Sequence, residues 1–136
     1  MDPAVWGPHY WFFLHSVALH YPKLPTATTK KIHYRLIHNF HEFIPHREIA
    51  ATFVKLLVKY PVAPYLDSRT HLVRWVHFIH NKINERTLKP IITLEEHRAN
   101  MKRCYAKTRN ANWRIVLVFV VLVALVIVTC YRDMPT

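Results

Sequence analysis

Residues 75–90 read WVHFIHNKINERTLKP. The stretch has the form of the late part of a helix that runs into a basic exit at Lys89 and Pro90. His77, His80, Asn81 and Asn84 fall at i, i+3, i+4 and i+7, which is one face of a helix. Donors and acceptors mixed on one stripe suit the edge of a flat heteroaromatic ligand. The plain alternative is a solvated polar face. The surrounding chain decides between them.

The chain has 136 residues, a single glycine, Gly7, and nine prolines. Few glycines, long helical periodicity and no alternating apolar run bounded by turn residues predict an all-α domain. The first helix is expected to open at Pro8, where a missing N–H does no harm, and to end near His20. Trp11, Leu14, Val17 and Ala18 form its inward stripe, with His15 beside it. A second helix is expected from Thr26 to about Phe43, with Ile32, Leu36, Phe40 and Phe43 inward. A third runs from Pro45 to Tyr60, with Ile49, Phe53, Leu56 and Leu57 inward. Residues 60–64, YPVAP, make a stiff connector. Asp67 or Ser68 caps the fourth helix, which ends near Arg86. Thr93 and Glu96 form a capping box for a fifth, expected to stop near Lys107. Four helices of about 15 residues with short connections imply a four-helix bundle plus a short fifth helix.

Residues 115–131, IVLVFVVLVALVIVTCY, carry no charge. As a helix they are about 25 Å long, near the thickness of a thin bilayer core. Trp113 and Tyr131 bracket the run and Arg114 and Arg132 cap it, as interface anchors do. The expected layout is a helical domain at 1–107, a juxtamembrane joint at 108–112, a transmembrane helix at 113–132 and a tail at 133–136. No basic start followed by an apolar run marks a signal peptide. Lys102, Arg103, Lys107, Arg109 and Arg114 precede the span and only Arg132 follows it. That bias puts the N-terminal domain on the cytosolic side of a single-pass C-terminal anchor. The formal charge of +11 suits an anionic lipid surface. Nucleic acid is the weaker partner, because no binding motif accompanies the basic residues.

Two motifs resemble one family. Residues 6–15, WGPHYWFFLH, match the WGxxxWxxLH pattern of the Erv/ALR FAD-linked sulfhydryl oxidases. Residues 75–90 match their WxxxxHNxVNxxxxKP pattern, with Ile83 in place of valine. The motifs stand in order over roughly residues 5–105, and the compact form resembles the versions carried by large DNA viruses. The resemblance implies a helical bundle that holds FAD, usually as a homodimer. It assigns cofactor contact to Gly7, Trp11, His15, His80, Asn81, Ile83, Asn84 and Lys89. The roles are chemically sensible. An indole offers a stacking face, imidazole and amide groups bond ring edges and hydroxyls, and Lys89 offsets pyrophosphate charge. Gly7 permits close backbone approach. Read without the motifs, the tryptophans are core aromatics, His15 a satisfied core histidine and Lys89 a surface cation.

One part of the pattern is missing. The resemblance places a CxxC directly after Pro45, where a helix N-terminus lowers a thiol pKa. His46 and Ile49 occupy those positions. The only cysteines are Cys104 and Cys130, too far apart along a helix for a disulfide, which needs Cα atoms within about 7 Å. One thiol cannot complete a dithiol oxidation alone. Residues 87 and 88, Thr-Leu, also replace the usual Leu-Gly before the lysine. No catalytic residue is therefore assigned. The expectation is a membrane-anchored pseudo-oxidase, a structural or binding component such as a minor capsid or inner-membrane protein of a large DNA virus particle. Its partners are lipid, other virion proteins and a second copy. The alternative is an active FAD-linked thiol oxidase completed by a cysteine from a partner. The pairs His38/His41 and His77/His80 each offer two imidazoles, but a zinc site takes about four ligands, so no metal is assigned.

Overall fold

A computed structural model describes the backbone of residues 1–132 and the side chains of residues 1–106, 113 and 115–127. Every regular element among them is helical: α1 (Pro3–His20), α2 (Ala27–Asn39), α3 (Arg47–Lys59), α4 (Arg69–Arg86) and α5 (Leu94–Arg132), with 3₁₀ turns at Phe40–Phe43 and Ala63–Asp67. The chain divides into two compact units, Met1–His97 and Arg98–Thr136. The first contains the bundle.

The helix starts follow local chemistry. The Asp2 carboxylate accepts the Ala4 N–H at 2.8 Å and Pro3 takes the first helical position. So α1 begins five residues before the expected start at Pro8. Pro8 instead lies inside α1 and removes one i→i−4 bond from it. Thr26 caps α2 and Ser68 caps α4 through their hydroxyls. Thr93 and Glu96 form the reciprocal box that opens α5. The Thr93 N–H donates to the Glu96 carboxylate at 2.7 Å, and the Glu96 N–H donates to the Thr93 hydroxyl at 3.2 Å. Those bonds hold the Glu96 carboxyl below its ordinary pKa.

The core gathers Leu14 and Ala18 of α1, Ile37 of α2, Phe53, Leu56 and Leu57 of α3, and Leu72, Val76, Ile79 and Ile83 of α4. Three polar side chains at its margin bond backbone carbonyls. The Tyr21 hydroxyl donates to the Leu66 carbonyl, Trp75 Nε1 to the Tyr60 carbonyl, and Arg69 Nε to the Tyr21 carbonyl. The α3 stripe is as expected, with Ile49 half-buried beside the three core residues.

Helix α2 departs from expectation. Ile32 and Phe43 are 59% and 64% exposed, whereas Ile37 is buried. The inward line is His33, Leu36, Ile37 and Phe40, at i, i+3, i+4 and i+7. A stripe drawn through Ile32 is rotated off that line, and the switch to a 3₁₀ turn at Phe40 carries Phe43 away from the core. The fifth helix is also not short. Residues 108–112, expected as a joint, have helical backbone. No proline or glycine occurs between residues 94 and 132 to stop a helix.

Among the described residues no helix is long and apolar enough to cross a membrane. The expected span extends beyond them. Side chains of Arg114 and of residues 128–132, and all of the tail at 133–136, lie outside the described residues. Within the described part, residues 115–127 are exposed without exception.

Candidate functional site

Helices α1 and α4 run in opposite directions. His15 meets His80 near the middle of the pair, and Ala4 shares a cavity with Ile83 and Arg86 at its other end. The polar residues singled out in the sequence lie along this seam in two clusters.

The first cluster is built of imidazoles. His15 Nε2 and His80 Nδ1 share a hydrogen bond of 3.0 Å, one ring donating to the other. The Trp11 indole stacks on His80, with centroids 4.0 Å apart and planes 11° from parallel. His97, in the first turn of α5, packs on His15 at 3.7 Å and near His77 at 5.7 Å. His77 Nε2 and Asn81 Nδ2 both donate to the Ile92 carbonyl, at 3.0 and 2.9 Å, and tie the α4–α5 loop to α4. Burial first, then the neighbouring imidazoles His97, His80 and His77, lower the His15 pKa to about 2. Burial, His97, His77 and then Lys89 lower His80 to about 3. Both rings are therefore neutral at physiological pH, and as neutral rings each offers one donor and one acceptor.

The second cluster surrounds a cavity of about 340 Å³. Asp2, Pro3 and Ala4 of the α1 start, His46, Glu48, Ile49 and Thr52 of the α3 start, and Ile83, Arg86, Thr87 and Lys89 of the α4 end line it. Asn84 lies behind it, buried, its amide donating to the Pro90 carbonyl at 3.3 Å. The Lys89 N–H donates to the Asn84 carbonyl at 2.9 Å. Leu88, between them, has φ +54° and is 96% exposed. That is a left-handed conformation in which glycine is at ease and leucine is not.

The structure thus places Trp11, His15, His80 and Asn81 in the imidazole cluster, and Ile83 and Lys89 at the cavity. Gly7 lies one turn from Ala4 on α1. A Cβ added there meets nothing within 4 Å. From Ala4 to His15 the seam runs about 16 Å along the α1 axis. Among the described residues, Trp6 Nε1, His46 Nδ1 and Asn81 Oδ1 are buried without a hydrogen-bond partner.

His97, Thr52, Arg86 and Asp2 were not singled out in the sequence. His97 follows the Thr93 cap by one helical turn, but nothing in the spacing shows that this turn faces α1. Asp2 and Thr52 are brought to the cavity only by packing. Of the remaining candidates, His38 and His41 are linked by a bond from His41 Nδ1 to the His38 carbonyl. No group of three or more His, Cys, Asp and Glu among the described residues is arranged to hold a metal. Cys104 is exposed on α5. The side chain of Cys130 lies outside the described residues.

Known proteins are similar to this chain in sequence and in fold. The chain is 36% identical over 97 residues to a probable FAD-linked sulfhydryl oxidase of Acanthamoeba polyphaga mimivirus, covering 71% of this chain and 68% of that one. It is 35% identical over 94 residues to the mitochondrial FAD-linked sulfhydryl oxidase of Schizosaccharomyces pombe, covering 69% of this chain and 52% of the relative. It therefore spans about half the length of the latter. Among solved structures, the FAD-binding domain of Erv1 from Saccharomyces cerevisiae superposes with a TM-score of 0.65 at 34% identity, over 70% of this chain and 89% of that one. Residues 8–105 match the Erv1 / Alr family, and the chain belongs to it.

Proposed function

We propose that this chain is an FAD-binding member of the Erv1 / Alr family that does not turn over dithiols by itself. On this reading it is a membrane-anchored pseudo-oxidase with a structural or binding role in a large DNA virus particle. One observation carries the reading. His46 and Ile49 line the cavity at the start of α3, where the family resemblance calls for two sulfurs, and the chain has only two cysteines, both at or beyond residue 104.

The residues present fit a flavin dinucleotide. The seam is spread over about 16 Å of helix, which suits a long two-headed ligand better than a single ring. Gly7 leaves space where a side chain would stand. Asn81 Oδ1 is buried without a partner, a state that costs free energy until a donor fills it. Trp11, His15, His80 and Asn81 would hold one end, Ile83 and Asn84 the other, and Lys89 would offset phosphate charge. The neutral His15–His80 pair would accept or donate at a ring edge without adding charge. When bound, FAD supplies a two-electron acceptor for thiols. The chain's own contribution is to bind and orient it and to exclude water from it.

The uncharged run at 115–131 supports a single-pass anchor with the N-terminal domain on the cytosolic side or facing the interior of a virion. The viral relative supports the particle. Exposed apolar side chains on α1 and α2, among them Val5, Phe13 and Ile32, offer a face for a homodimer. A second reading is an active thiol oxidase completed by a cysteine from another chain. The open cavity beside His46 and Ile49 favours it.

The test is the visible spectrum of the purified full chain in detergent, with oxygen uptake in dithiothreitol. A yellow protein that consumes oxygen no faster than free flavin is expected. Catalytic turnover by the isolated chain would overturn the pseudo-oxidase reading.

A further inference from the structure

His46, at the α3 start, has a ring whose chemistry the fold leaves unused. It stands at the N-cap of α3, yet its side chain makes no capping bond. Its Nδ1 is buried and has no hydrogen-bond partner. His46 lines a cavity shared with Ile49 and Thr52 on one side and Ile83 and Lys89 on the other. A buried ring nitrogen without a partner is costly, and a ligand that brings one recovers the loss.

The composition of the cavity selects the ligand. Arg86 and Lys89 are opposed there by Asp2 and Glu48, so the walls are balanced in formal charge and do not select a bare phosphate. Ile49 and Ile83 supply apolar surface. A flat, neutral, largely apolar ring with polar atoms at its edge matches that lining. A neutral imidazole is donor or acceptor according to its tautomer, so it pairs with either kind of edge atom.

We propose that His46 is a flavin ligand, its Nδ1 sharing a hydrogen bond with the polar edge of the FAD ring system from the position the family resemblance assigns to a redox thiol. The proposal rests on the FAD-binding reading above. The substitution then replaces a group that exchanges electrons with the ring by one that only holds it. His46 contributes to keeping FAD in the site, and it biases the oxidised against the reduced ring according to which form the bond favours.

The experiment is titration of full-length, flavin-stripped protein with FAD, followed by its visible spectrum and by reductive titration. His46→Phe fills the same space without a hydrogen bond, and His46→Asn restores one. His46→Phe is expected to weaken FAD binding about tenfold, the loss of one net hydrogen bond, and to shift the flavin absorption and midpoint potential. His46→Asn is expected to recover most of both. In the flavin-free state His46→Phe is expected to melt no lower than the parent, because it removes an orphaned polar atom, and this separates ligand contact from a purely structural role. Equal affinity, spectrum and potential in parent and His46→Phe would overturn the proposal. A parent that takes up no FAD would overturn the flavin reading itself, and the proposal with it, before any variant is compared.

Discussion

Single residues in this chain carry constraints that their neighbours do not relieve. Leu88 is held at φ +54° with its side chain in solvent. The left-handed conformation costs a non-glycine residue roughly 1–2 kcal/mol, and glycine returns part of that as greater freedom in the unfolded chain. Leu88→Gly is therefore expected to stabilise the domain by roughly 0.5–1 kcal/mol, read as a higher urea midpoint at an unchanged slope. A lower midpoint would mean that the leucine side chain makes contacts of its own. His15 and His80 carry a different constraint. Their folded pKa values, about 2 and about 3, lie below the 6.5 of a free imidazole. The unfolded chain takes up protons as pH falls through 6.5 while the folded rings do not, so stability is lost from pH 6.5 down toward 3 and is flat above 6.5. The slope is about 1.4 kcal/mol per pH unit for each ring while both remain neutral in the fold. Thermal melts between pH 7.5 and 4.5 check this, and His15→Gln is expected to flatten the slope. A melting temperature that does not fall on acidification would contradict the neutral pair.

Helix α2 shows how one residue of rotation redistributes stability. Ile37 is buried and Ile32 is exposed, although both sit in a helix of ordinary amphipathic composition. Ile37→Ala is expected to cost about 2–5 kcal/mol, whereas Ile32→Ala changes dilute, monomeric protein by no more than about 0.5 kcal/mol. Denaturant unfolding of the two variants side by side checks the assignment, and equal losses would return the stripe to Ile32. Helix α3 bears on chemistry instead. Its first turn presents His46 and Ile49 to the cavity, and a helix N-terminus favours a thiolate. On the pseudo-oxidase reading, His46→Cys combined with Ile49→Cys is expected to create oxygen-consuming dithiol oxidase activity absent from the parent. Failure of the double variant, with FAD bound and the fold intact, would place the lesion elsewhere in the scaffold.

At the scale of the whole molecule the two ends have opposite demands on solvent. The bundle buries its apolar side chains around α4, while residues 115–127 leave theirs exposed. An isolated apolar helical run of this kind is stable where lipid replaces water. Expressed in cells, the full chain is expected to stay in the membrane pellet through alkaline carbonate extraction, and a chain ending at residue 112 is expected to be released. Release of the full chain by carbonate would remove the anchor from the proposed function. On the anchored reading, the basic residues of the 102–114 stretch would meet anionic headgroups, each adding about 1 kcal/mol of attraction near the surface.

The sequence by itself determined the helical class, three of the four helix starts that side-chain caps define, and the family. Those features are local, because a cap is a side chain bonding a backbone group two or three residues away, and a motif is a fixed spacing along one helix. It also showed that both cysteines lie at or beyond residue 104, since a cysteine count needs no coordinates. Only the tertiary structure decided that His97 joins His15 and His80, and that Asp2 and Thr52 share a cavity with Lys89. The same holds for Ile37, which faces the core in place of Ile32. Those facts depend on the rotation and crossing of helices far apart in the chain. That rotation is set by the summed fit of many side chains, which no periodicity within a single helix records.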